Sequence, residues 1–273
     1  MTEQAEPMVT YELDGPIAVI GLNRPAKRNA VNDAMIKQIH EAVARAQEEA
    51  RVAVLFGHGP NFSAGLDLAE AMSWMGQGGR PRRRGHWHPT LDLVARGEIP
   101  FVAALHGAVV GGGLEIAAAA HVRVADESAF FALPEGQRGI FVGGGGSVRI
   151  SRLMGVARMQ DLMLTGRVLS AAEGERANLC QYVVPAGGAF AKAKELAARI
   201  ADNAPNSNWV ICNGLPRLRD LSHNDGLFFE ALVGSQARNP ETMDRLKAFV
   251  EHRAKGLAVP DEVVGKPKSA RKG

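Results

Sequence analysis

The stretch His106–Ala120, HGAVVGGGLEIAAAA, decides the architecture. It follows the apolar run Phe101–Leu105, which reads as a buried strand introduced by Pro100. Gly107 and the triplet Gly111-Gly112-Gly113 then break the pattern, and Leu114–Ala120 carries a single ionisable side chain, Glu115. A helix apolar on every side is a buried one, so Glu115 is a carboxylate in the first turn of a buried helix. Glycines at a helix start leave backbone N–H groups free beside the positive end of the dipole. Such a place holds a negative oxygen, either a phosphate or a transient oxyanion. A dinucleotide fingerprint is not complete here: Gly111 and Gly113 supply its first half, but Ile116 stands where a third small residue belongs, and no G-x-x-x-x-G-K-[ST] occurs anywhere.

Toward the C-terminus, His121–Ala125 and Ala129–Ala132 read as further strands. The second leads into Leu133-Pro134-Glu135-Gly136, so Glu135 is a second carboxylate just past a buried strand. A second glycine run, Gly143–Gly146, opens a helix near Ser147–Met154. Short helices are expected over 158–164 and 171–177, an amphipathic one over Ala189–Asn203, and only helices from Trp209 to Gly256. Toward the N-terminus, Val9–Leu13 and Ile17–Leu22 form a hairpin around Asp14-Gly15. Asn32 caps a helix from Asp33 to about Ala50 that aligns Ile36, Ile39, Val43 and Ala46, and Val52–Phe56 is a buried strand ended by Gly57-His58-Gly59-Pro60. Strands with crossover helices first and helices last indicate an α/β core with a helical C-terminal part. The expected organisation is a flexible N-terminus over 1–8, a core over 9–200, a helical region over 201–256 and a disordered basic tail over 257–273.

Composition is that of a globular chain: of 273 residues, 46% are hydrophobic and 22% charged. With aromatics at 5%, the core must be aliphatic. A net charge of +3 does not by itself indicate nucleic acid. The basic residues cluster in a knot, Arg80, Arg82, Arg83 and Arg84, and in the tail, Lys266, Lys268, Arg271 and Lys272. These suit solvated segments or attraction of a polyanion such as a nucleotide-bearing group. Cys180 and Cys212 form no C-x-x-C, and His86-Trp87-His88 lacks a third ligand in motif spacing, so no metal is expected. No signal-like segment or membrane span is legible, and the expected location is the cytoplasm.

Four stretches, in order, resemble the enoyl-CoA hydratase/isomerase (crotonase) superfamily across about residues 9–255. Asn23-Arg24-Pro25-Ala26-Lys27-Arg28-Asn29-Ala30 resembles N-R-P-x-x-x-N-A, and Phe62–Leu68, FSAGLDL, resembles F-[SA]-A-G-x-D-[LI]. His106–Glu115 resembles N-G-x-x-x-G-G-G-x-E, and Phe131–Gly146 resembles F-x-x-P-E-x-x-x-G-x-x-x-x-x-G-G. The resemblance implies an α/β fold with a crotonase-like ββα superhelix core and a helical C-terminal trimerisation region. It implies a homo-oligomer, trimer or dimer of trimers, that acts on an acyl-CoA with no cofactor beyond the CoA of the substrate. The backbone N–H groups of Leu66 and Gly112 match the oxyanion hole that holds the thioester oxygen. Glu115 and Glu135 match the two hydratase glutamates, Glu135 serving the Cα proton and Glu115 the water. Lys27, Arg28, Ser63, Ala64, Asp67 and Leu68 match CoA-contacting positions, and Phe249 matches a C-terminal aromatic that reaches a neighbouring subunit's ligand.

The implied reaction is syn hydration of a 2-enoyl-CoA to a 3-hydroxyacyl-CoA. Other chemistry on the same scaffold stays open: double-bond isomerisation, thioester hydrolysis, or hydration of a heteroatom-bearing enoyl-CoA such as a methylthio one. A non-enzymatic role in RNA binding or assembly is a further alternative. The chain departs from the family pattern at three points. His106 replaces the usual Asn, which reads as a turn variant. Ala69 stands where many hydratases have a CoA-contacting Lys. Phe141-Val142-Gly143-Gly144-Gly145-Gly146 replaces the more usual P-G-x-G-G loop beside the acyl end. The family's variable acyl-pocket segment corresponds to Met72–Val94.

Overall fold

The computed structural model describes residues 7–75 and 86–251. The Arg80–Arg84 knot, residues 1–6 of the expected N-terminal tail and the basic tail from 257 lie outside the described residues. Strand β1 (Val9–Asp14) pairs antiparallel with β2 (Ile17–Leu22). The turn between them is Gly15-Pro16, one residue later than the sequence suggests, because Asp14 still pairs with Ile17 and Gly15 takes the positive φ of 56°. Helix α1 (Asp33–Glu49) starts where Asn32 Oδ1 accepts the Met35 N–H at 2.9 Å. Its stripe, including Ile36, Ile39 and Val43, is buried. Strand β3 (Val52–Gly57), helix α2 (Leu68–Met75) and helix α3 (Trp87–Arg96) follow, then β4 (Phe101–Leu105). The sequence reading leaves Met72–Val94 without structure; α3 forms there because Trp87, Thr90, Leu91 and Val94 lie on one buried face.

The first glycine run joins β5 (Ala108–Val110) to α4 (Gly112–Ala119), all of whose residues are buried. Then come β6 (Val122–Asp126), β7 (Phe130–Ala132), α5 (Gly146–Met154), α6 (Val156–Thr165), β8 (Val168–Ser170), α7 (Ala171–Arg176), β9 (Tyr182–Val184) and α8 (Ala189–Ala201). Strands β8 and β9, three residues each, are too short to show a period in sequence. Helices α9 (Pro205–Leu218), α10 (His223–Gln236) and α11 (Pro240–Val250) complete the described chain.

Six strands form one sheet in the order β1-β2-β3-β4-β6-β9, parallel except for the first pair. Both faces are covered, so its central strands read as continuous apolar runs. Val52, Val54, Val102 and Ala104 meet Ala193, Leu196 and Ala197 of α8 on one side. Ala53, Leu55, Phe101, Ala103 and Leu105 join the larger core with α1 and α4 on the other. A second sheet, β5-β7-β8, positions the site. Strands β5 and β7 are parallel with Val110 opposite Ala132, so both glutamate-bearing segments leave the same edge. Reactive groups on parallel sheets collect at these carboxyl ends.

Candidate active site

Three loops meet beyond the ends of β5 and β7. The first is held against β5 as an added strand: Ser63 N–H donates to Ala108 O at 2.9 Å and Ser63 O accepts from Val110 N at 3.0 Å. This leads through Gly65 to Leu66, whose amide comes beside the start of α4. A Cβ added at Gly112 would stand 3.3 Å from Leu66 N, and one at Gly65 would stand 2.9 Å from Gly112 N. Neither amide has an acceptor among the described residues. Two adjacent unpaired N–H groups at a helix start are a seat for a developing oxyanion.

Glu115 and Glu135 are both buried, at 3% and 5% exposure, and each lies against the glycine run of the other's segment. Glu115 Oε1 accepts from Gly144 N at 2.7 Å and Gly146 N at 2.8 Å, and Oε2 from Gly143 N at 3.3 Å. Arg123, a buried cation of β6, donates to Leu179 O and Ala120 O. Glu135 folds back over the first run. A Cβ at Gly111 would meet Glu135 Oε1 at 2.9 Å, and Gly111 has a φ of 53°, so this position requires glycine for conformation and for room. Glu135 Oε2 is buried with no partner among the described residues. Burial pushes the Glu135 carboxyl above its ordinary range, its own backbone N–H pulls it down, and the charge of Glu115 pushes it further up. The Glu115 charge thus reaches the Glu135 carboxyl.

A groove of about 480 Å³ includes Leu66 in its lining, with Lys27, Arg28, Ala64, Asp67 and Leu68 together with Arg138. It gathers five of the seven CoA-contacting candidates. Ser63 is fully buried, its backbone is used in pairing with β5, and its hydroxyl donates to Asn29 O at 2.8 Å, so it is a prop beneath the loop. Phe249 is exposed on α11 and is not among the groove's lining residues. The Asp67 carboxylate braces the groove's wall. Burial pushes it up, but the Arg24 guanidinium at 3.1 Å and the Glu70 and Ala69 N–H groups outweigh this and hold it below the usual range. Asn29, in the left-handed region at φ 53°, pins the facing loops through His58 O at 2.9 Å and Asn61 O at 2.7 Å. His106 follows β4 and sets its Nε2 against Gly59 O at 2.9 Å.

Sequence reasoning missed two supports of Glu115. Arg149 Nη1 donates to Gly144 O at 2.9 Å and its other arm pairs with Asp92 of α3, tying that helix to the second glycine loop. The indole of Trp87 lies against Gly112 and Gly144. Its four-residue spacing to Leu91 was the available signal. His86 lies near His40, with ring centroids 5.6 Å apart, and no group of three His, Cys, Asp or Glu among the described residues is arranged to hold a metal.

Comparison with known proteins agrees with this geometry. The enoyl-CoA hydratase/isomerase family model matches residues 12–255. Enoyl-CoA hydratase EchA19 of Mycobacterium tuberculosis is 31% identical over 93% of this chain and 97% of its own length. The mitochondrial enoyl-CoA hydratase domain-containing protein 2 of Bos taurus is 35% identical over 90% and 85%. A crystal structure from Rhodopseudomonas palustris, of a provisionally assigned enoyl-CoA hydratase, is 45% identical with a TM-score of 0.84 over 93% of this chain and 98% of that one. An enoyl-CoA hydratase structure from Bacillus anthracis is 28% identical with a TM-score of 0.82 over 92% and 98%. With its two crossed glutamates and paired amides set on this fold, the chain belongs to the enoyl-CoA hydratase/isomerase family.

Proposed function

We propose that the protein adds water to a 2-enoyl-CoA thioester to give the 3-hydroxyacyl-CoA. One observation carries the reading: two buried carboxyls that sense each other's charge and two unpaired backbone amides are gathered around the glycine run at the start of α4. The thioester oxygen accepts from Leu66 N–H and Gly112 N–H. Glu115, fixed by Gly143, Gly144 and Gly146, orients a water and takes its proton as the oxygen bonds to Cβ. The electron pair of the double bond moves onto the thioester as an enolate, which the two amides stabilise; such a donor is worth about 10²–10³ in rate. Glu135, whose carboxyl burial pushes above its ordinary range, then protonates Cα. Both carboxyls face one side of the acyl plane, so addition is syn. A site with both glutamates suits hydration rather than double-bond migration, which needs only a carrier for the Cα proton.

The groove beside Lys27, Arg28, Ala64, Asp67 and Leu68 takes the CoA arm, the two cations meeting its phosphates. Water and the acyl-CoA suffice for this chemistry, without a further cofactor. The exposed apolar residues of the C-terminal helices, Leu227, Phe228, Leu246 and Phe249 among them, belong to a subunit interface of a trimer or dimer of trimers, where Phe249 reaches a neighbour's ligand. Residues 9–200 form the catalytic core, and helices α9, α10 and α11 the assembly region. No helix among the described residues is long and apolar enough to cross a membrane, and the cytoplasm is the proposed location.

The test is loss of the conjugated enoyl-thioester absorbance with crotonyl-CoA. Turnover that disappears in Glu115→Gln and Glu135→Gln while CoA binding persists supports the reading. A chain that binds CoA but hydrates no enoyl-CoA, or releases free CoA instead, overturns it.

A further inference from the structure

We propose that Trp87 is the wall that limits the acyl chain, so that the substrates are short-chain 2-enoyl thioesters. The inference rests on the hydratase reading for the placement of the acyl group and extends it to a residue and a chain-length class. Trp87 is 2% exposed and turns the benzo edge of its indole toward the site. A Cβ at Gly112 would lie 2.8 Å from Cη2 and 3.2 Å from Cζ3, and one at Gly144 would lie 3.1 Å from Cε3. Gly112 carries one of the two amides for the thioester oxygen; Gly144 carries an amide that holds Glu115. In the hydratase reading the acyl carbons run from the thioester at Gly112 toward Cβ beside Glu115, whose Oε1 the Gly144 amide holds, and the indole bridges the two glycines. Leu91, one turn along α3, extends the wall, with Cδ1 3.0 Å from a Cβ at Gly144.

The departure of the glycine loop from the family pattern fits the same layer. Glycine at 144 leaves space that Trp87 and Leu91 occupy; a side chain there would press on both. The wall is also fixed from behind, since Asp92 of α3 pairs with Arg149, which holds Gly144 O. A close-packed indole does not yield to a longer chain without opening a void. One misfit methylene in an apolar pocket shifts kcat/KM by about 10–200-fold.

The experiment compares crotonyl-CoA with trans-2-decenoyl-CoA in the wild type, Trp87→Ala and Trp87→Phe. The wild type should favour the four-carbon substrate. Trp87→Ala should raise the long-to-short ratio of kcat/KM by at least about 10-fold, with Trp87→Phe, which lacks the outer benzo atoms, in between. Should Trp87→Ala fail to fold, Trp87→Phe keeps an aromatic in the core and decides the question alone. Equal kcat/KM on both substrates in the wild type, or a ratio that stays within about twofold in every folded variant, overturns the proposal. Calorimetric binding of butyryl-CoA and decanoyl-CoA separates it from the hydratase reading. A Trp87-dependent length limit in binding, without turnover of any enoyl-CoA, keeps the wall and rejects the hydratase.

Discussion

The loop after β7 and the first turn of α4 each present one buried glutamate, and the two are treated in opposite ways. Glu115 receives three backbone N–H groups. Glu135 receives room over Gly111 but leaves Oε2 without a partner among the described residues. Hydrogen bonds fix the first carboxylate in orientation, whereas burial raises the proton affinity of the second. In the proposed reaction similar burial with different partners divides the labour: a fixed acceptor for water, and a carboxyl poised to carry a proton. The division can be broken most visibly in catalysis. Glu115→Gln and Glu135→Gln should each lower kcat by about 10²–10⁴-fold, the usual worth of a general acid or base. They should differ in isotope exchange. With a saturated acyl-CoA in heavy water, Glu115→Gln should retain exchange of the Cα proton and Glu135→Gln should lose it. Equal loss in both would erase the proposed assignment of roles.

The pH profile sharpens the contrast. In the proposed reaction hydration uses the protonated Glu135, so its rate should fall as pH rises through the raised pKa, by up to about 10-fold per unit. Dehydration of the 3-hydroxyacyl-CoA uses the ionised form and should rise over the same interval. A hydration rate that stays flat from the ordinary carboxylate range into alkaline pH would mean that Glu135 is not the donor.

Stability separates the two further. Replacing Glu115 by Gln sets an amide N–H₂ against backbone donors, and an unsatisfied buried group costs about 1–3 kcal/mol. Glu115→Gln should therefore lower Tm. Glu135 has the opposite sign. Its folded pKa is above the unfolded one, so its contribution is greatest below the unfolded pKa and is lost as pH rises through the folded value. Relative to wild type, Glu135→Gln should thus gain stability as pH rises across that window, read as a growing Tm difference. A Tm difference that is constant with pH would show that the carboxyl titrates as in the unfolded chain.

Much of this was legible before any coordinates. The apolar runs at Val52–Phe56 and Phe101–Leu105 are strands because both faces of the sheet are covered, and Asn32 does cap α1. Glu115 stood out as the only charge in Leu114–Ala120, and Glu135 by its place after Pro134. What was not legible is the crossing of partners. Nothing in HGAVVGGGLEI states that Gly111 makes room for Glu135, or that Gly144 and Gly146, some thirty residues on, hold Glu115. That link is made by the parallel register of β5 and β7 and by α5 packing on α4, both long-range. Trp87 was read only as part of a variable stretch, because a four-residue apolar spacing next to a basic knot is a weak signal. Ser63 matched the motif yet serves as a prop, since a motif fixes residue type and not which way a loop faces.

The smallest expected effect reaches one glutamate through the other. The Glu115 charge is a lesser cause of the raised Glu135 pKa, behind burial. Removing that charge in Glu115→Gln should lower the Glu135 pKa while leaving it above the ordinary carboxylate range, because desolvation remains. Carbon-13 NMR titration of the Glu135 carboxyl in both proteins measures this without turnover. An unchanged value would mean that the two carboxyls do not sense each other, so that one bound water could not bridge them. A fall all the way to the ordinary range would mean that repulsion, rather than burial, holds the proton on Glu135. The contrast between the two sites would then be a property of the pair and not of two separately built environments.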